Sequence, residues 1–162
     1  MGGLAVAQQS PEARISGLDL PAVLEVFTER AEQKGLSPRT ATLPGDMHAR
    51  EIQAAHYDLV IIANVLRLEL PERAASLLQR ASQALKPGGR LIVVDALAGG
   101  TPEQERARAI YAMHLALRSK DSAVHAPDSI EAWMRDAGLT IEPRLQLESS
   151  LGALGAVQAL KP

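Results

Sequence analysis

The chain has 162 residues, 46% of them apolar, which suits one domain built around a two-layer or three-layer core. A net charge of -2, with 17 scattered basic residues, offers no basic stripe to a nucleic acid or a membrane surface, and an aromatic content of 2% argues against base-stacking platforms. The absence of cysteine excludes disulfide staples, thiolate zinc sites and a cysteine nucleophile.

The order of elements can be read along the chain. Gly2-Gly3 leads into a helix over residues 4–9, which ends before Ser10-Pro11. Residues 14–20 read as a short strand ending in an acid, Asp19. Pro21 then starts a helix with Val23, Leu24, Phe27 and Ala31 on one face and Gly35 as its left-handed cap. A more polar strand over residues 39–43 ends at Pro44-Gly45-Asp46, and residues 47–56 read as a short helix. Residues 57–64 and 90–97 are continuous apolar runs rich in Val and Ile, as expected of strands covered on both faces of a parallel sheet. Between them Ala74, Leu77, Leu78, Ala81 and Leu85 recur at helical spacing, with Pro71 in the first turn and Pro87-Gly88-Gly89 as the stop. In such a strand-helix-strand crossover, ligands bind beyond the carboxyl ends of the strands, here residues 64–70 and 95–100.

Thr101 and Pro102 can start a helix reaching about Ser119, with Ala107, Ile110, Tyr111, His114 and Leu117 as its apolar stripe. A helix over residues 128–137 carries a capping-box pattern, Asp128 with Glu131, and buries Ile130, Trp133, Met134 and Ala137 before Gly138. Residues 140–148 and 155–160 form two extended segments, close enough through residues 149–152 to pair antiparallel. The fold class is therefore α/β, mostly parallel, with a terminal antiparallel strand pair. Residues 1–7 show neither a basic region nor a signal-length apolar stretch, and no later run reaches membrane-spanning length, so a cytoplasmic protein is expected.

Five short motifs in this order carry a family resemblance: Gly2-Gly3 entering a helix, Gly17-Leu18-Asp19-Leu20-Pro21, Pro44-Gly45-Asp46-Met47, Tyr57-Asp58-Leu59-Val60 through Asn64-Val65-Leu66, and Leu85-Lys86-Pro87-Gly88-Gly89-Arg90-Leu91. Together they resemble the S-adenosylmethionine-dependent methyltransferases of the Rossmann-like class, and among them the bacterial small-molecule O-methyltransferases of natural-product pathways. The resemblance implies one cofactor-binding domain over residues 1–162, S-adenosylmethionine as cofactor and a small organic acceptor. It also implies that the family's first strand, the front of its glycine loop and its amino-terminal dimerisation region are missing, which leaves a homodimer as an open question of assembly.

The same resemblance assigns roles. Asp19 would accept hydrogen bonds from both ribose hydroxyls, because a carboxylate offers two acceptors to a vicinal diol, with Leu20 beside it. Asp46 would face the adenine amine and Met47 the ring, Gly2 and Gly3 would let backbone approach the methionine end, and Asn64 would sit on the cofactor side of its strand end. Each has a plainer reading: Asp19 as an acid favourable to a helix dipole, Asp46 in an ordinary Gly-Asp turn, the glycines as a disordered terminus. Where many relatives place a histidine that deprotonates the acceptor, this chain has Arg67, whose guanidinium stays protonated and cannot be that base. Arg67 can instead bind an acidic substrate group or pair with Glu69 or Glu72 at the surface. His114, on the apolar stripe, reads as a satisfied core histidine, with catalysis the minority reading; His125 reads as an exposed loop residue.

Three functions stay open at this level. The first is methyl transfer to a small acceptor, with positioning and desolvation carrying the rate where no base is present. The second is a truncated or degenerate domain that binds or assembles without catalysis. The third is a nicotinamide-dependent oxidoreductase on a related fold, disfavoured by the Gly45-Asp46 turn and the terminal antiparallel pair.

Overall fold

The computed structural model describes residues 2–97, 101–117, 119, 122–145, 147 and 154–162. These divide into two compact units, Met1–Glu51 and Ile52–Pro162. Among the described residues no helix is long and apolar enough to cross a membrane.

The first unit runs α1 (Gly2–Gln9), β1 (Ile15–Asp19), α2 (Pro21–Gln33), a 3-10 turn (Ser37–Arg39) and β2 (Thr40–Pro44). β1 and β2 are parallel, in register from Ile15 opposite Thr40 to Asp19 opposite Pro44. Leu4 and Ala7 of α1 bury with Ala31 and Leu36, and Ile15 and Phe27 pack against them. α1 lies so close to β1 that a Cβ on Gly3 would stand 2.9 Å from Cγ2 of Ile15. The glycine at position 3 is therefore required by packing, and the expectation of a disordered terminus does not hold there. Arg39 fastens the far end of α1: its Nη2 donates to the Ala7 carbonyl at 2.9 Å and its Nη1 to those of Ser10 and Pro11 at 2.9 and 2.8 Å.

α2 begins at Pro21 and closes with Gly35 in the left-handed region (φ 66°), where Leu36 N–H reaches back to the Ala31 carbonyl at 2.8 Å. Leu24 and Ala31 are its buried positions; Val23, expected on the same face, is exposed. The helix expected over residues 47–56 is replaced by turns. One helical turn closes, with Arg50 N–H on the Asp46 carbonyl at 2.7 Å, but no apolar repeat follows to propagate it, and Ala55 adopts a positive φ of 47°.

The second unit contains β3 (Tyr57–Ala63), a 3-10 turn (Leu66–Leu68), α3 (Pro71–Ala84), β4 (Leu85–Ala96), α4 (Pro102–Ala116), α5 (Pro127–Asp136), β5 (Thr140–Leu145) and β6 (Leu154–Leu160). Its four strands run in the order β3-β4-β6-β5. β3 and β4 are parallel, with Leu59 opposite Arg90 through Ala63 opposite Val94, while β6 is antiparallel to β4 on one side and to β5 on the other. The crossover and the terminal antiparallel pair thus form as expected, but this sheet is mixed, since two of its three pairings are antiparallel. Among the described residues, the end strands β1, β2, β3 and β5 each carry one edge with no paired strand.

α3 buries Ala74, Leu77, Leu78 and Ala81 of the stripe read from the sequence, and Ala84 besides; Leu85, the last residue of that stripe, is fully buried just beyond the helix. The helix stops earlier than expected: Leu85 is already extended (ψ 140°), and Lys86-Pro87-Gly88-Gly89 belongs to β4, bent at Gly88 with φ 78°. A side chain on Gly89 would meet the Lys86 carbonyl oxygen at 2.8 Å, so this bend keeps the strand start tight.

Two helix readings need correction. α5 has Ala126 at its N-cap with no side-chain cap bond, so no capping box forms. Asp128 and Glu131 instead both bind Arg144 of β5, the Glu131 contact at 2.5 Å, and these carboxylates hold the Arg144 guanidinium more firmly protonated than usual. On α4, Tyr111 is half-buried, whereas Ile110, Met113 and Leu117 are exposed, and so is His114. His114 is therefore not a core histidine; the side chain of Ala107 from the same stripe, like residues 99–100 and 148–152 of the expected loops and strand end, lies outside the described residues.

Candidate functional site

In the first unit, the parallel register sets the carboxyl ends of β1 and β2 side by side, and Gly45 N–H donates to the Asp19 carbonyl at 3.0 Å. Asp19 and the Gly45-Asp46 turn are thereby brought together, although Asp19 and Gly45 lie 26 positions apart in the sequence. The half-buried Asp19 carboxylate accepts the backbone N–H of Leu20 at 2.8 Å through Oδ1. It does not cap α2, whose N-cap is Leu20, and among the described residues its Oδ2 has no protein donor. Leu20 is 57% exposed beside it. Asp46, also exposed, accepts the His48 N–H at 2.8 Å and so shapes the turn in which half-buried Met47 sits. Gly2 opens α1 as an exposed residue and Gly3 packs on Ile15.

In the second unit, the loop after β3 and the end of β4 build a denser cluster. Asn64 follows β3 in the left-handed region (φ 61°), with its N–H on the Val94 carbonyl at 2.8 Å. Asp95, 1% exposed near the end of β4, accepts the N–H of Ala96 at 2.8 Å and is bound twice by Arg67, through backbone N–H at 3.3 Å and Nη1 at 3.1 Å. Arg67 Nη1 also donates to the Asn64 side-chain oxygen, and its guanidinium carbon lies 5.6 Å from the centre of the Tyr111 ring. The surface pairing weighed for Arg67 does not occur: its partner is the buried Asp95, and Glu69 pairs with Arg73 at 2.6 Å.

The loop that carries Arg67 is held from below. His125 is 7% exposed, with Nε2 3.0 Å from both the Leu66 and the Glu69 carbonyl oxygens and its ring edge-on to Trp133 at 5.1 Å. Ala123 N–H adds a bond to the Arg67 carbonyl at 3.0 Å. The reading of His125 as an exposed loop residue is thus overturned; His-Ala-Pro ahead of a helix carrying a tryptophan nearly two turns in was the signal for a docked segment. Tyr111 was legible only as part of a stripe, because its contact with Arg67 spans 44 residues of sequence.

In each unit an acid or glycine turn stands at the carboxyl end of parallel strands joined through a helix, an α/β arrangement of the Rossmann-like kind. A family model described as an O-methyltransferase domain matches residues 2–140, and the chain belongs to that family. It is 27% identical over 143 residues to the L-tyrosine C(3)-methyltransferase of Streptomyces lavendulae, covering 88% of this chain and 39% of that protein. Among solved structures, it superposes on the apo form of the S-adenosylmethionine-dependent methyltransferase SibL with a TM-score of 0.83 at 29% identity, covering 98% of this chain and 46% of SibL. The mitomycin 7-O-methyltransferase MmcR gives a TM-score of 0.83 at 26% identity, covering 98% and 45%. The chain spans about two-fifths of the length of its curated relative.

The family implies S-adenosylmethionine, and the first unit fits its nucleoside. A strand-end carboxylate with one oxygen fixed by a backbone amide and the other without a donor among the described residues suits a diol, and the exposed Asp46 beside it offers an acceptor to an amine.

Proposed function

We propose that the chain binds S-adenosylmethionine and transfers its methyl group to a small organic acceptor, most simply at oxygen. The observation that carries the reading is the joining of Asp19 to the Gly45-Asp46 turn across two parallel strand ends, inside the stretch matched by the O-methyltransferase domain. Both units overlap that stretch, which supports one cofactor-binding domain. The cofactor, when bound, supplies a methyl group on a sulfonium, so the leaving group is a neutral thioether. Asp19 then holds the ribose through two hydroxyls, and Asp46 and Met47 take the adenine side.

Deprotonation is not assigned to this chain's loop. Arg67 remains a cation, and His114 stands exposed on α4 with no described partner that would orient it. An acceptor that arrives as a phenolate or another ready nucleophile therefore suits the site, with cytoplasmic small molecules as the pool. The tight Arg67–Asp95–Asn64 cluster in the base's place also favours a second reading, a binding or assembly domain without turnover. Calorimetry with S-adenosylhomocysteine, with NAD as the control, tests the first step: heat with the former alone supports the methyltransferase reading, and no heat at millimolar concentration refutes it. Turnover with a phenolate panel then separates enzyme from binding domain.

A further inference from the structure

Arg67 has five N–H donors, and among the described residues only one nitrogen of the side chain finds partners. Nη1 commits its two hydrogens to Asn64 and Asp95. Nε is buried with no partner, and Nη2 has none among the described residues. These two atoms form one edge of the guanidinium, the fork that takes both oxygens of a carboxylate. The side chain as a whole keeps 20% of its surface although Nε itself is covered, so a ligand that takes this edge must displace what covers Nε.

The rest of the cluster fixes the direction of that edge. Asp95 holds Arg67 by backbone and side chain at once, Tyr111 lies against the guanidinium, and His125 and Ala123 pin the loop through Leu66, Arg67 and Glu69. A flexible surface arginine would lose side-chain freedom on binding; this one has already lost it, so a ligand gains the two donors at little further ordering cost. Asp95 neutralises the guanidinium charge, which leaves directional donors rather than net charge to select the ligand. A planar group with two acceptor oxygens fits two parallel N–H donors, whereas a spherical anion or a neutral amide fits one.

We propose that Arg67 is a specificity-determining residue whose Nε–Nη2 edge binds the carboxylate of an acceptor, making carboxylate-bearing aromatic or small organic acids the preferred class. The proposal rests on the methyltransferase reading for what happens to the acceptor, but the carboxylate contact is measurable without it. The test titrates 4-hydroxybenzoate against 4-hydroxybenzamide into the wild-type protein, following affinity by calorimetry and the Arg67 Nε–H resonance by NMR. The acid should bind at least about tenfold tighter than the amide and shift that resonance downfield. In Arg67→Lys, which keeps a cation beside Asp95 but loses the fork, the preference should fall to near unity. The paired variant Arg67→Gln with Asp95→Asn removes both charges together, guards against misfolding from an uncompensated buried acid, and should also show no preference.

Equal wild-type affinities, including no binding of either compound, overturn the proposal, as does a preference that survives in the paired variant. S-adenosylhomocysteine binding in the same wild-type sample reads the broader assignment separately. Acid preference without cofactor binding refutes methyl transfer alone, and cofactor binding without acid preference refutes the Arg67 role alone.

Discussion

Replacing Asp19 by alanine removes the carboxylate assigned to the ribose. In the structure that group has one fixed contact, Oδ1 with Leu20 N–H at 2.8 Å, and an Oδ2 with no described donor. Two hydroxyl bonds to a carboxylate are worth about 1.5–3 kcal/mol each in a protected setting. Asp19 is half-buried, so water competes for both, and the net loss on truncation should be about 1–3 kcal/mol, or about 5-fold to 150-fold in Kd. Asp19→Asn keeps one acceptor oxygen and should fall between wild type and alanine. Calorimetry with S-adenosylhomocysteine reads the affinity, and thermal unfolding without ligand should change little, because the carboxylate ties down no other element among the described residues. An affinity within twofold of wild type in Asp19→Ala would refute the ribose role.

Gly3→Ala tests whether that glycine serves packing: alanine favours a helix by about 1 kcal/mol, but its Cβ would stand 2.9 Å from branched Ile15, and overpacking of this kind costs about 1–3 kcal/mol. We expect a net destabilisation of about 1 kcal/mol in chemical denaturation, relieved when Ile15→Ala is added, and a stabilised single variant would show that the contact yields freely. The hydrogen bond from Lys86 holds the exposed Asp58 carboxyl below its ordinary value of 3.8. A depressed folded value means that the pair stabilises the protein above the ordinary carboxylate range and that this contribution fades as pH falls through the lower value. An NMR titration should place the Asp58 midpoint below 3.8 and return it upward in Lys86→Gln; an unmoved midpoint would remove Lys86 as the cause.

The elements with strong local signals were legible. The apolar runs of β3 and β4, the α3 stripe with Pro71 and the Gly35 and Gly138 caps follow from periodicity and backbone freedom, and they fall where those rules put them. Boundaries decided by tertiary contacts were less so. α3 ends at Ala84 although Pro87-Gly88-Gly89 is the louder stop, because Leu85 is already paired opposite Tyr57 in the sheet. Asp128 and Glu131 have the spacing of a capping box, yet a long-range arginine, Arg144, outcompetes the local bonds. The site divides in the same way. The motif order pointed to Asp19 and Asp46, and strand register joins them. The surroundings of Arg67 depend on Asp95, Tyr111 and His125, each brought from a distant part of the chain, and no spacing rule announces those meetings.

The two carbonyl contacts of His125 fix its tautomer. Both Leu66 and Glu69 present backbone carbonyls that only accept, so Nε2 must carry the hydrogen. One N–H thus serves both carbonyls of the Arg67 loop, and a residue at position 125 with no donor there would cost both contacts at once. The path of that loop is set by a ring far along the chain rather than by the loop's own residues.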